Sequence, residues 1–134
     1  MMNTKNFRRK NQFRQAVGEE PLDQAAQERL FKSIQQKRLI AFIAWKDRQP
    51  VGICTVSCAF STFACREQGI LDDFYVKPGF RGKGIARRLA SAAQNWCRKE
   101  GLSGLLVICS TGDQDMYRSL GFDLPLGHTL VCNF

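Results

Sequence analysis

The stretch that decides the fold runs from Tyr75 to Leu89 and reads YVKPGFRGKGIARRL. An apolar strand ends at its start, the Pro78-Gly79 pair interrupts that strand, and a basic, glycine-spaced turn then leads into a helix. The amino terminus of a helix offers unpaired N–H groups and a positive dipole end, and together these bind phosphate. Glycines let the backbone approach the phosphate oxygens closely. The turn therefore predicts a site for a phosphate-bearing ligand.

Two standard phosphate-binding motifs do not fit this turn. A nucleotide P-loop fails because Ile85 stands where the motif requires lysine. The dinucleotide-binding fingerprint fails because Arg87 occupies the position of its third glycine. The turn instead contains the pattern Arg-x-x-Gly-x-Ala between Arg81 and Ala86. The class of ligand has to be inferred from that pattern and from the rest of the chain.

Positive charge is concentrated around this turn and at the start of the chain. The 134 residues include 20 Lys and Arg against 12 Asp and Glu, a net charge of +8. Residues 1–14 and 77–99 hold twelve of those basic residues and no acidic one. A field this localised favours a compact polyanion that docks near the turn. A nucleic-acid-binding module built on the first segment is the alternative class, although nucleic acid is not the expected partner because no recognition motif is present.

The composition excludes several classes of protein. With 44% hydrophobic residues the chain can build a packed core, so disorder is not expected. No apolar run approaches the roughly 20 residues that span a bilayer, and the basic start lacks the apolar stretch of a secretion signal. We therefore expect a cytoplasmic protein with no membrane partner and a single domain over residues 1–134, of which residues 1–20 form a basic segment without a clear period.

The six cysteines do not suggest a metal site. No two of them form a C-x-x-C pair, and the single histidine leaves little for a metal cluster. We expect no metal and interpret most of the cysteines as small buried hydrophobes. The six cysteines are Cys54, Cys58, Cys65, Cys97, Cys109 and Cys132.

Hydrophobic periodicity predicts alternating helices and strands along the chain. The predicted elements are a helix at 22–37, strands at 39–45 and 51–59, a polar-aromatic connection at 60–68, a strand at 69–76, a helix at 84–100, a strand at 105–109, a helix at 113–120 and two short strand-like pieces within 122–134. The residues expected on the core face of the helix at 84–100 are Ile85, Leu89, Ala92, Ala93 and Trp96. This order is typical of an α/β domain on a mixed sheet.

Preceded by LDDFYVKPGF, the pattern from Arg81 to Ala86 resembles the acetyl-coenzyme A loop of the GNAT superfamily of N-acetyltransferases. The segment YRSLGF, from Tyr117 to Phe122, is similar to the Tyr-x-x-x-Gly-Phe pattern on that family's short late helix. Leu105–Cys109 stands in the place of the family's fifth strand, which splays from the fourth to admit pantetheine. The resemblance covers roughly residues 38–126.

This resemblance implies an α/β fold with a mixed, mostly antiparallel sheet and flanking helices. The family normally opens with a strand, and residues 1–20 contain no convincing one. We therefore expect the first strand to be short or missing. Because an exposed sheet edge favours pairing with another chain, a homodimer is also expected.

The resemblance also implies acetyl-coenzyme A as the co-substrate, with its diphosphate on the main-chain amides of the loop. The residues expected to bind it are Phe74, Tyr75, Val76, Arg81, Gly82, Lys83, Gly84, Ile85, Ala86, Arg87, Ser110 and Tyr117. Ser110 departs from the pattern, since many members have asparagine there. The basic side chains that could reach phosphates are Lys77, Lys83, Arg87 and Arg88, and the sequence does not say which of them point inward.

The reaction implied is direct attack of a primary amine, from a small molecule or a peptide, on the acetyl group in a ternary complex. Tyr117 is the candidate general acid, because a phenol with a pKa of about 10 stays protonated at neutral pH and can donate to the leaving thiolate. Asp72 and Asp73 are the candidate general bases. Because neighbours on a strand point to opposite faces, at most one of them is expected to face the acceptor.

The sequence does not identify the acceptor amine, and it fits either an active transferase or a protein that only binds acyl-coenzyme A. The segment Ala59–Phe63 resembles one found in the polyamine and small-diamine branch of the superfamily, which favours such acceptors. A catalytically silent sensor of acyl-coenzyme A would have the same loop and is the second alternative.

Overall fold

A four-stranded sheet with helices packed on it forms the described part of the chain. The computed structural model describes residues 20–132 and 134. Its elements are α1 (Gln24–Gln35), β1 (Leu39–Lys46), β2 (Gln49–Ser61), β3 (Arg66–Val76), α2 (Ile85–Lys99), β4 (Leu105–Val107) and α3 (Gln114–Ser119), with 3₁₀ turns at Pro78–Phe80 and Thr111–Asp113. None of the helices described is long and apolar enough to span a membrane.

The strands lie in the order β1-β2-β3-β4. The first two pairs are antiparallel and the last pair, β3 with β4, is parallel. The predicted fold class, a mixed and mostly antiparallel sheet with flanking helices, is therefore confirmed. Residues 1–19, where a first strand would fall, lie outside the described residues.

The connection predicted at residues 60–68 is wrong, because β2 and β3 form one long hairpin. Phe60 pairs with Glu67 and Ser61 pairs with Arg66, so the ladder continues almost to the turn. The turn itself is held by the Ala64 amide, which donates to Ser61 Oγ at 3.1 Å. Pairing satisfies backbone groups that a loop would leave to water, and this outweighs the polar composition of the segment.

Helix α2 packs on one face of the sheet and builds the core there. The residues that it buries are Leu89, Ala90, Ala93 and Cys97. Of these, Leu89, Ala93 and Cys97 form one cluster with Cys54, Val56 and Leu71 of the sheet. The predictions for Leu89 and Ala93 are confirmed, and Ile85 and Trp96 are partly buried against the same cluster. The prediction for Ala92 is wrong: it is exposed, on the flank of α2 that lines a groove beside β1.

The tail differs from the prediction of two strand-like pieces. No strand forms between residues 120 and 132, and Leu126 and Leu130 are largely exposed. Pro125 cannot donate to a ladder, and Gly127 has φ of +110°, which is not strand geometry.

The cysteines are less buried than expected. All six are free, and only Cys54 and Cys97 are buried, while Cys58 and Cys109 are intermediate and Cys65 and Cys132 are exposed.

Candidate active site

The sheet opens between β3 and β4 beyond Leu71. The parallel ladder consists of three pairs and ends where Leu71 meets Val107. β3 continues to Val76, whereas β4 stops at Val107. The second half of β3 therefore borders a gap, and Phe74, Tyr75 and Val76, which were predicted to bind the co-substrate, lie along it.

A β-bulge lies where the sheet opens. The register between β2 and β3 shifts by one residue, so that Thr55 alone stands opposite both Asp72 and Asp73. The Thr55 hydroxyl donates to Asp73 Oδ2 at 2.7 Å and accepts from the Asp73 amide at 3.1 Å. Ser57 Oγ donates to Asp72 Oδ2 at 2.7 Å. Because Thr55 and Ser57 are two residues apart on β2, they share one face of the sheet, and both carboxylates lie on it.

The expectation that at most one of these carboxylates faces the acceptor assumed that they point to opposite faces of the sheet, and the structure instead places both on one face. That assumption rested on regular alternation, and the inserted residue of the bulge interrupts that alternation. Both carboxylates are exposed, on the face opposite α2. Thr55, which is only 2% exposed, was not among the predicted site residues, and no motif in the sequence indicates the bulge.

Tyr117 lies on the other side of the gap, on the α2 face of the sheet. Its ring is 5.8 Å from the ring of Phe74 and 5.9 Å from that of Phe122, measured between centroids. Burial raises the pKa of Tyr117 above its usual value, and the negative charge of Asp113 raises it further. The phenol therefore keeps its proton at neutral pH. The gap is thus flanked by the phenol of Tyr117 on one face and by two carboxylates on the other.

The basic turn presents main-chain amides that no described residue uses as hydrogen-bond donors. Gly82 has φ of +71° and Gly84 has φ of +77°, which L-residues with side chains rarely adopt. Among residues 20–132, the amides of Gly82 to Arg87 find no hydrogen-bond acceptor, and the first amide of the helix to be paired is that of Arg88, which donates to Gly84 O at 3.1 Å. A Cβ added at either glycine would meet no atom within 4 Å. The glycines thus leave open space over unpaired donors, as an anion requires.

A cleft of about 210 Å³ lies at this turn. The predicted cofactor residues that line it are Val76, Arg81, Gly82, Gly84, Ile85, Ala86 and Arg87. Phe80 and Leu120 complete the lining, and the sequence did not suggest either of them. Leu120 follows α3, so the cleft extends from the turn toward the helix that holds Tyr117.

The basic side chains near the turn point in different directions. Arg87 lines the cleft, whereas Arg88 lines a separate groove of about 470 Å³ between β1 and α2. Lys83 does not line the cleft; its Nζ donates to Gly79 O at 3.2 Å. Arg81 Nε donates to Val76 O at 2.8 Å, so this side chain holds the end of β3 against the turn.

The remaining predicted residues lie outside the cleft. Phe74 and Tyr75 are on β3 along the gap. Ser110 is exposed, and its hydroxyl donates to Asp113 Oδ2 at 2.7 Å, which fixes the 3₁₀ turn before α3. The structure therefore brings the loop residues together and leaves Ser110 apart from them.

Comparisons with known proteins give a family match and several structural neighbours. A family model described as the acetyltransferase (GNAT) family matches residues 7–122. No curated protein matches the chain.

Three solved structures illustrate the structural likeness. AAC(6′)-Iy in complex with the bisubstrate analogue CoA-S-monomethyl-acetylneamine is 24% identical, with a TM-score of 0.81 over 99% of this chain and 94% of that one. An integron cassette protein from the mobile metagenome of Cole Harbour Salt Marsh is 25% identical, with a TM-score of 0.78 over 96% and 81%. A predicted acetyltransferase from Clostridium acetobutylicum, with acetyl-CoA, is 20% identical, with a TM-score of 0.73 over 93% and 84%. These proteins share the fold of this chain.

Proposed function

The chain belongs to the GNAT family of acetyltransferases, and we propose that it transfers the acetyl group of acetyl-coenzyme A to a primary amine of a small molecule or peptide by direct attack in a ternary complex. The observation on which this proposal chiefly rests is the row of amides from Gly82 to Arg87, which find no acceptor among residues 20–132. These amides border a cleft that leads toward the gap between β3 and β4.

The residues at the turn fit the diphosphate of coenzyme A. Unpaired amides at a helix amino terminus donate to phosphate oxygens, and the open space above Gly82 and Gly84 lets the backbone approach them. Arg87, which lines the same cleft, supplies a positive charge. We assign the diphosphate to this turn and the pantetheine arm to the gap along Phe74–Val76.

One face of the gap then donates a proton, from Tyr117, and the other face accepts one, at the bulge carboxylates. The amine nitrogen attacks the carbonyl carbon of the thioester, a C–N bond forms and the C–S bond breaks. Tyr117 donates its proton to the departing thiolate, because its raised pKa keeps it protonated. An amide N–H near Tyr75 or Val76 is the proposed donor to the carbonyl oxygen. Holding both substrates in this geometry contributes much of the acceleration.

The bulge carboxylates are the proposed acceptors of the amine proton. Asp72 and Asp73 are exposed on the face opposite Tyr117, where an incoming amine can reach them without displacing α2. Their negative charge also attracts a protonated amine before it loses its proton. Replacing each in turn by asparagine separates their roles. If the replaced aspartate is the general base, kcat falls; if it only attracts the amine, the KM for the amine rises.

A small amine with several positive charges is the acceptor that we propose to test first. The segment Ala59–Phe63 resembles the polyamine branch, and the AAC(6′)-Iy structure holds an analogue that joins coenzyme A to acetylneamine. Both acceptor types are compact and polycationic, and two adjacent carboxylates suit such a ligand. Polyamines and aminoglycosides therefore come before peptide amines.

Turnover against a panel of amines tests this function. Release of free coenzyme A is followed with a thiol reagent for polyamines, aminoglycosides and peptides with free amino termini, and product masses are checked for one added acetyl group. The proposal expects acetylated product with at least one amine. Binding of acetyl-coenzyme A without turnover on any amine would contradict catalysis and would favour the sensor.

A further inference from the structure

We propose that Thr55 is a positioning residue for acetyl transfer: it holds the β-bulge and orients the Asp73 carboxylate on the acceptor face. This inference rests on the proposed function, because it assigns a role to Thr55 in that reaction. Thr55 lies on β2, away from the loop and from the cleft at the basic turn.

Thr55 acts as a clamp on the bulge, because its hydroxyl forms two hydrogen bonds with Asp73. Its single hydroxyl both donates to Asp73 Oδ2 at 2.7 Å and accepts from the Asp73 amide at 3.1 Å. Main chain and side chain of the same residue are thereby fixed by one buried group. With Thr55 only 2% exposed, water cannot easily take over either hydrogen bond, so both are strong constraints on Asp73.

The position of the clamp connects it to catalysis. The parallel ladder of β3 with β4 ends at Leu71, one residue before the bulge begins. If β3 paired regularly, with no bulge, its side chains would alternate, and Asp72 and Asp73 would point to opposite faces of the sheet. The bulge is therefore what places two carboxylates together beside the gap, and Thr55 is the residue that faces it.

Substitution by valine removes the clamp while preserving the shape of the side chain. Thr55→Val keeps the β-branched form but leaves the Asp73 amide and carboxylate without the hydroxyl. We expect kcat for the best amine of the panel to fall about tenfold to a hundredfold. The KM for acetyl-coenzyme A is expected to stay within about twofold, because the loop is untouched.

Substitution by serine separates positioning from stability. Thr55→Ser keeps the hydroxyl but leaves a small cavity where the methyl group was buried. We therefore expect its melting temperature to lie below that of the wild-type protein. If the role of Thr55 is purely structural, kcat should fall as far in Thr55→Ser as in Thr55→Val. A positioning role predicts that serine recovers most of kcat despite its lower stability.

Two further variants make the test complete. Asp73→Asn leaves Thr55 in place, and if Thr55 acts through Asp73 the double variant with Thr55→Val is little worse than the single variants. Ser103→Ala, beside the start of β3, removes a hydroxyl that donates to Glu67 O at 3.2 Å and should leave kcat unchanged. An active wild-type protein whose Thr55→Val variant has normal kcat overturns this inference alone, and a wild-type protein that acetylates no amine overturns the proposed function and this inference together.

Discussion

At the residue scale, the side chain with the most specific chemical assignment is Tyr117. Its ring packs between Phe74 and Phe122, so Tyr117→Phe keeps those contacts and removes only the hydroxyl. We expect kcat to fall by about a hundredfold or more, since general acids typically contribute that much. The KM for acetyl-coenzyme A and the melting temperature should change little. Steady-state kinetics with the best amine of the panel measure this, and an unchanged kcat would return Tyr117 to a packing role.

The raised pKa of Tyr117 also predicts the alkaline side of the pH profile. Burial, followed by the charge of Asp113, holds this pKa above the ordinary value of 10.0. The donor is therefore more than half protonated at all pH values up to 10.0, and most of it is lost only as the pH rises above that value. We expect no fall in kcat that is due to Tyr117 between about pH 7.5 and about pH 9.5. A falling limb near pH 8 that disappears in Tyr117→Phe would contradict the assignment.

Cys54 gives a prediction that is independent of catalysis. Burial first, and then the charges of Asp73 and Cys97, raise its pKa to about 12. Since only the thiolate reacts quickly, Cys54 should resist alkylation by iodoacetamide at about pH 8 in the folded protein. The exposed Cys65 and Cys132 should react, and all six cysteines should react in denaturant. Peptide mass spectrometry measures this, and labelling of native Cys54 as fast as Cys65 would contradict its burial.

At the element scale, the amino terminus of α2 separates two neighbouring arginines. Arg87 lines the cleft at the turn, and Arg88 lines the groove toward β1. Arg87→Ala should weaken acetyl-coenzyme A binding by about tenfold, the loss of one charge-assisted contact to phosphate. Arg88→Ala removes the same charge from the next position and should weaken binding much less. Equal losses in both variants, measured by titration, would show that the general positive field rather than the cleft binds the phosphates.

The helices could be predicted because their apolar residues recur with a helical period, and most of the strands because they are apolar runs bounded by turn residues. The glycine turn could also be predicted, since Gly82 and Gly84 adopt positive φ that other residues avoid. The bulge could not, because the residues on both sides of Asp72 and Asp73 are continuously apolar and show no regular alternation that an inserted residue would interrupt. Backbone pairing across the turn likewise decided the hairpin beyond Phe60, where the composition indicated a connection.

At the scale of the whole molecule, charge and sheet edges bear on the partners. The net charge of +8 favours a polyanionic co-substrate, while the two carboxylates on the bulge would attract a cationic acceptor. β1 is the outer strand of the sheet within residues 20–132, and the expected homodimer stays a prediction that sedimentation of the purified protein can test.

The most direct test of the central claim is a calorimetric titration of acetyl-coenzyme A into the wild-type protein, Gly84→Glu and Gly101→Glu at modest ionic strength. Gly84 and Gly101 have φ of +77° and +71°, and an added Cβ meets no atom within 4 Å at either, so both variants accept similar backbone strain of about 1–2 kcal/mol and the same charge at opposite ends of α2. We predict saturable binding by the wild-type protein and Gly101→Glu, and no measurable binding by a folded Gly84→Glu. No binding by the wild-type protein, or normal binding by Gly84→Glu, would contradict the assignment of the turn as the coenzyme A site.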